Sequence, residues 1–267
     1  MLKIVVAGAA GKMGQRIGAL AAQNQQINLT GALERKGHAS VGRDFAEVAG
    51  VPKTGVIISD NVEDTIALAD VVIDFTSPES TLNNARVCVV LKKPIVTGTT
   101  GLSEQQVEEI SGMSASIPIV FSPNMSVGVN LLLKVLSDVA PILADDYDIE
   151  IIEAHHRLKK DAPSGTALKM ANVIAQSIGR NLGEVAVYAR QGIIGERTRE
   201  KIGIQTIRAG DIVGEHTILF GTTGERIEFT HKASSRDTFA AGALRAALWL
   251  KDKPSGLYDM QDVLGLK

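Results

Sequence analysis

The chain has a single cysteine, Cys88, in 267 residues. A lone thiol forms no internal disulfide and no thiolate cage for a metal, which suits a reducing cytoplasm. Cys88 lies in the apolar run ARVCVVL and reads as core packing. An excess of either charge is also missing: 28 Lys and Arg face 30 Asp and Glu, a net charge of −2. The chain therefore lacks the basic footprint of a nucleic-acid binder. No window reaches the about 18 apolar residues of a membrane span. The glycine-interrupted start MLKIVVAGAAGKMG makes a poor secretory signal. There is no internal repeat, low-complexity segment or proline-rich linker.

What is present is an ordinary globular composition, 45% apolar and 22% charged. The length favours two domains at about 100–200 residues each. The first 120 or so residues alternate short β-branched runs with helical periodicity, the pattern of a parallel sheet built from βαβ units. The expected strands are Lys3 to Ala7, Ile27 to Leu33, Val56 to Ile58, Val71 to Phe75, Pro94 to Thr97 and Ile117 to Phe121. Met13, Ile17, Leu20 and Ala21 mark a helix after the first strand. Ser103 and Gln106 form a capping-box pattern for another helix reaching about Met113. Beyond Phe121 a helix from Val127 to Leu143 leads to an apolar strand, Ile149 to Ile152, and a further helix begins beside Gly165. Strands then predominate at Val185 to Tyr188, Ile202 to Ile207, His216 to Phe220 and Arg226 to Phe229, which predicts a separate α+β domain. The last helix spans Thr238 to Leu250.

Between the first strand and helix stands AGAAGKMG, with Gly8, Gly11 and Gly14 three apart. A dinucleotide turn needs glycine at the bend, at the approach to the pyrophosphate and where helix packs on strand, with the helix N-terminus holding the phosphates. The spacing is GxxGxxG rather than the commoner GxGxxG. Glu34 follows at the end of the second strand, where an acid takes ribose hydroxyls. Arg35 and Lys36 come next and suit a 2′-phosphate, so the turn is compatible with NADH or NADPH. TGTTG, from Thr97 to Gly101, follows another strand and can meet the nicotinamide or the substrate. A short-chain dehydrogenase is disfavoured: Tyr147, Tyr188 and Tyr258 are followed four positions later by Ile151, Gly192 and Asp262, not by lysine.

The densest cationic stretch is EAHHRLKKDAPSGT, Glu153 to Thr166. If His155 and His156 continue the preceding strand, they point to opposite faces and make a poor metal pair. No acid or cysteine stands at zinc spacing, so no metal is expected. Arg157 and Lys160 read as solvated or ion-paired. Pro163, Ser164, Gly165 and Thr166 open a helix whose N–H groups can receive a carboxylate, with Lys159 across from it. A histidine titrating near neutrality can deliver a proton, and hydride from a cofactor would complete a reduction. A nucleotide-sensing regulator would keep the glycine turn but have no use for His155 and Lys159.

The sequence resembles the 4-hydroxy-tetrahydrodipicolinate (dihydrodipicolinate) reductase family. The resemblance rests on VAGAAGKMG, ALER, VIDFTSPE, TGTTG, SPNMSVGVN, IEIIEAHHRLKKDAPSGTAL, IRAGDIVGEHT, THKASSR and SGLYDMQDVLGL, which occur in order along the whole chain. It implies a Rossmann-type parallel-sheet cofactor domain, residues 1–126 with 236–267, and a second α+β domain, residues 127–235, for substrate binding and homotetramer assembly. It implies NADPH- or NADH-dependent reduction, with loss of water, of a small cyclic dicarboxylate, and neither nucleic-acid nor membrane partners. His155 and Lys159 then match a proton-donating pair. His156, Ser164, Gly165, Thr166 and Arg236 match substrate contacts. Gly8, Ala9, Ala10, Gly11, Lys12, Met13, Glu34, Arg35, Gly98, Thr99, Thr100, Ser122, Pro123, Asn124 and Met125 match the cofactor site.

Overall fold

The computed structural model describes every residue from Met1 to Lys267. The chain runs β1 (Leu2–Ala7), α1 (Lys12–Ala21), β2 (Ile27–Leu33), α2 (Phe45–Ala49), β3 (Ile58–Ser59), α3 (Val62–Ala67), β4 (Val71–Asp74), α4 (Pro78–Leu91), β5 (Ile95–Thr97), α5 (Glu104–Met113) and β6 (Pro118–Phe121). It continues through α6 (Val127–Leu143), β7 (Asp148–His155), α7 (Gly165–Ser177), α8 (Leu182–Val185), β8 (Ala186–Val187), β9 (Ile202–Arg208), β10 (Gly214–Thr222) and β11 (Glu225–Ala233). It ends with α9 (Asp237–Leu250), β12 (Gly256–Tyr258) and α10 (Met260–Leu264). These elements fall into two units, Met1–Val127 with Arg236–Lys267, and Gly128–Ser235.

The first unit is a seven-stranded parallel sheet in the order β12-β6-β5-β4-β1-β2-β3. Its central strand shows why the sequence reads as unbroken apolar runs. Ile4 and Val6 of β1 enter one apolar layer, with Ile17 of α1 and Ala240, Ala243 and Ala247 of α9. Val5 and Ala7 enter the other, with Ile66, Leu82, Ala85 and Ile110 from α3, α4 and α5. A strand covered on both faces needs apolar residues at every position. Strand order reverses direction between β1 and β4, which makes this a Rossmann-type doubly wound sheet. Cys88 is fully buried on α4, as expected, and burial pushes its thiol pKa far up. The capping box forms: Ser103 Oγ accepts from Gln106 N–H and Gln106 Oε1 accepts from Ser103 N–H.

The third strand sits later than Val56 to Ile58. The carboxylate of Asp44 accepts the Thr54 hydroxyl at 2.8 Å and the Gly55 N–H at 2.9 Å, drawing the chain before Ile58 into a turn.

The second unit holds a five-stranded mixed sheet, β11-β10-β7-β9-β8, in which β7, β9 and β8 run parallel and β10 and β11 antiparallel. One face packs Ile149, Ile151, Ile202, Ile204, Ile218 and Phe220 against Leu133 and Leu136 of α6 and Ala171 and Ile174 of α7. The other face is open, leaving Ile152 36% and Ile207 46% exposed. Strand β7 outlasts the expected Ile149 to Ile152 because Glu153, a polar residue that ends an apolar pattern, is buried and ion-paired. At Val185 to Tyr188 the strand shrinks to two residues, since Asn181 caps the short α8 just before it through Gly183 N–H at 3.0 Å. No helix is long and apolar enough to cross a membrane.

Candidate active site

In the first unit, the residues expected at the cofactor lie just past the C-terminal ends of parallel strands. Gly8 to Met13 follow β1, Glu34 and Arg35 follow β2, Gly98 to Thr100 follow β5, and Ser122 to Met125 follow β6. Open doubly wound sheets bind ligands on this rim, beside the point where strand order reverses. The turn after β1 requires its glycines. Gly8 has φ +76°, and a Cβ on Gly14 would stand 2.1 Å from the Gly8 carbonyl oxygen. Gly11 caps α1 without a side chain, so no side-chain oxygen occupies the N–H groups of the first turn. Those donors and the helix dipole suit a pyrophosphate, and the residues present fit a dinucleotide.

Glu34 is tied to the same turn: Oε1 accepts from Ala10 N–H at 2.9 Å and Oε2 from Arg35 N–H at 3.1 Å. Each oxygen keeps a lone pair for a ribose hydroxyl. Arg35 and Lys12 are exposed. The side chains of Ala9 and Met125 belong to the core, so these two positions offer backbone only. Ser122 donates its hydroxyl to the Asn124 carbonyl at 2.9 Å, fixing the loop after β6, while Pro123 stays exposed. Thr99 is buried: its hydroxyl donates to Asp74 Oδ1 at 3.1 Å and receives the Thr81 hydroxyl at 2.7 Å. Asp74 also accepts from Thr76 and Asn84. This fully buried carboxylate, not singled out in the sequence, ties the TGTTG loop to the loop after β4.

In the second unit, the basic tract lies over a buried ionic centre. Glu153 has no exposed surface and accepts five hydrogen bonds. They come from His155 Nδ1 at 2.6 Å, both Arg208 Nη atoms at 2.8 Å, Ser164 N–H at 3.0 Å and the Thr206 hydroxyl at 3.1 Å. Burial opposes the charge, but Arg208, His155 and the Ser164 N–H outweigh it and hold the carboxyl pKa down to about 2. Burial lowers the His155 pKa, opposed by Glu153. His156 lies beyond the strand end, and its Nδ1 is buried with no hydrogen-bond partner. Lys159 Nζ donates to Asp161 at 2.9 Å. Arg157 and Lys160 are exposed, as expected.

Ser164, expected among the substrate contacts, also has structural partners. It is 2% exposed, its N–H is given to Glu153, and its Oγ accepts from Ala167 N–H at 3.1 Å and pairs with His216 Nε2 at 3.0 Å. It caps α7 and anchors the ionic centre, leaving Gly165 and Thr166 as the more exposed residues of that turn. Arg236 is the residue before α9, in the first unit.

His216 is nearly buried, and desolvation, helped by His155, pushes its pKa down to about 4. Between pH 6.5 and about 4 the unfolded chain therefore binds a proton that the folded chain refuses, so stability falls as pH falls through that window. The full effect is on the order of 3 kcal/mol. Thermal unfolding at constant ionic strength should show a declining midpoint below pH 6.5, and His216→Asn should flatten it; an unchanged slope would show that another group is responsible.

The description "Dihydrodipicolinate reductase, N-terminus" matches residues 2–125, and "Dihydrodipicolinate reductase, C-terminus" matches residues 128–264. The chain belongs to the dihydrodipicolinate reductase family. Within the family it is 55% identical to the 4-hydroxy-tetrahydrodipicolinate reductase of Hahella chejuensis and 52% identical to that of Syntrophus aciditrophicus, each over 100% of both chains. Among solved structures, a dipicolinate-bound dihydrodipicolinate reductase from Paenisporosarcina sp. TG-14 superposes with a TM-score of 0.78 at 26% identity, over 98% of both chains. An amine dehydrogenase from Mycobacterium smegmatis, at 11% identity and TM-score 0.58, shares the fold alone.

Glu153, Arg208, Thr206 and His216 were not assigned from the sequence of this reductase-family chain. Part of the signal was there: in IEIIEAHH, strand alternation puts Glu153 and His155 on one face. Arg208 and His216 become visible only with the pairing of β7 to β9 and β10.

Proposed function

We propose that this chain catalyses the NADPH- or NADH-dependent reduction of 4-hydroxy-tetrahydrodipicolinate to tetrahydrodipicolinate, with loss of water, in the diaminopimelate route to lysine. The observation that carries this reading is its full-length relationship to reductases of that name, which spans both units. The geometry supports it: one unit offers a phosphate-ready turn, the other a histidine backed by a buried carboxylate.

When bound, the nicotinamide cofactor supplies hydride. The uncapped first turn of α1 holds the pyrophosphate, Glu34 accepts ribose hydroxyls, and Arg35 pairs with a 2′-phosphate. Gly98, Thr99 and Thr100, with Ser122 to Met125, line the nicotinamide end. His156, Ser164, Gly165, Thr166 and Arg236 hold the substrate carboxylates, and Ser164 also caps the helix that follows. His155 and Lys159 furnish the proton that accompanies the hydride. We further read the chain as a cytoplasmic homotetramer assembled through the second unit, whose open sheet face bears Ile152 and Ile207.

The test is nicotinamide oxidation by the purified protein, with substrate generated in place by the preceding synthase from pyruvate and aspartate semialdehyde. Synthase-dependent oxidation supports the reading; binding of both nucleotides without oxidation overturns it. In the same assay Arg35→Gln should raise KM for NADPH about tenfold and leave NADH nearly unaffected, the loss of one charge-assisted contact. Equal losses for both would remove Arg35 from the 2′-phosphate.

A further inference from the structure

We infer that Glu153 is a positioning residue for the proton transfer, holding the His155 ring by Nδ1 so that Nε2 is the nitrogen that releases the proton, with Arg208 locking Glu153 in place. The inference rests on the proposed reductase function and concerns how this chain orients its own proton donor.

A fully buried carboxylate is expensive unless its lone pairs are filled. Glu153 is filled from three directions: Arg208 and Thr206 from β9, Ser164 N–H from the start of α7, and His155 from its own strand. Arg208 lies opposite His155 in the β7–β9 register and reaches Glu153 end-on, one Nη atom to each oxygen. It is itself fixed, since Nη2 also donates to the Asp161 carbonyl and Nη1 to that of Ile207, both at 2.7 Å. The carboxylate therefore cannot swing away, and His155 Nδ1, at 2.6 Å from Oε2, must be the protonated nitrogen. The other edge of the ring lies over β10, where a Cβ at Gly214 would stand 3.1 Å from Nε2. Any side chain there would crowd the nitrogen left to face a substrate.

The charges around the ring show what Glu153 adds. Arg208 and Lys159 disfavour a protonated His155, as does burial. His216 on β10 meets the ring edge-on at 5.2 Å and stays neutral in its buried site. Asp161 is paired to Lys159. Glu153 is the anion in hydrogen-bond contact with the imidazole and opposes the two cations.

The test is Glu153→Gln, which keeps the shape and removes the charge. We expect kcat at pH 7 to fall at least tenfold with nucleotide dissociation constants unchanged. The pH above which kcat declines should move down by about 1–3 units, the effect of losing an adjacent opposite charge. Glu153→Asp should recover part of the loss. In a His155→Ala background, adding Glu153→Gln should cost no further turnover. An unshifted pH dependence, or a second loss added to that of His155→Ala, would overturn the inference while leaving the reductase reading intact. Full turnover by His155→Ala alone would instead remove His155 as donor and the inference with it. Should Glu153→Gln fail to fold, nitrogen-15 resonances of the parent protein decide: Nδ1 must stay protonated while Nε2 titrates, and the reverse assignment overturns the proposal.

Discussion

Gly14→Ala should abolish measurable binding of both nicotinamide nucleotides. The added methyl would stand 2.1 Å from the Gly8 carbonyl oxygen and 2.9 Å from the Ala9 Cα, both backbone atoms of the turn itself. No side-chain rotation relieves this, so either α1 shifts off the sheet or the turn opens, and each removes the N–H groups that hold a pyrophosphate. The overpacking should cost about 1–3 kcal/mol of stability, and affinity should drop at least 100-fold. Gly11→Ala meets the same oxygen at 3.1 Å and should show the same defect in milder form. Isothermal titration with NADPH and NADH beside a thermal melt separates the two effects. A folded Gly14→Ala protein that binds either nucleotide normally would place the cofactor elsewhere.

His155→Ala should lower kcat by about 10²–10⁴-fold, the usual worth of a positioned proton donor. Nucleotide affinity should survive, because the expected cofactor residues belong to the other unit. Lys159→Ala should fall in the same direction. Stopped-flow or steady-state oxidation of NADPH beside direct nucleotide titration makes the comparison, and parallel losses in both readouts would refute the division of labour. Removing His155 leaves Glu153 and Arg208 still paired, so the variant should fold.

The contrast between the units explains what could be read in advance. Strands β1, β2, β4, β5 and β6 sit between two helical layers, so their apolar runs stand out locally and the rim residues can be counted from their ends. Helix α6 has the expected bounds because its apolar face repeats at helical spacing over its length. By contrast α4 was legible only as the run ARVCVVL. Its first half carries Thr81 and Asn84, polar residues buried by Asp74 rather than by apolar contact. Strand β12 is three residues, Gly256–Tyr258, at a sheet edge, too short for a strand pattern to stand out. At the basic tract, local pattern marked His155 and Lys159 but suggested a solvated or ligand-facing setting. That His155 leans on an ion pair depends on Arg208, 55 residues beyond Glu153, and no local pattern reports that pairing. The structural partners of Ser164 are hidden from local pattern for the same reason: Glu153 and His216 arrive from other strands.

The second unit interrupts the first in sequence, and that has a consequence for synthesis. One whole apolar layer of the parallel sheet is completed by Ala240, Ala243, Leu244, Ala246, Ala247 and Leu250 of α9, with Met260 and Val263 after it. A nascent chain that has emerged as far as Ser235 holds every residue of the second unit but leaves that layer without its C-terminal helices, covered only in part by α1. The usual order, in which the N-terminal domain folds first on the ribosome, is thereby inverted: the inserted unit can finish while the nucleotide-binding sheet still waits for its last helix to be translated.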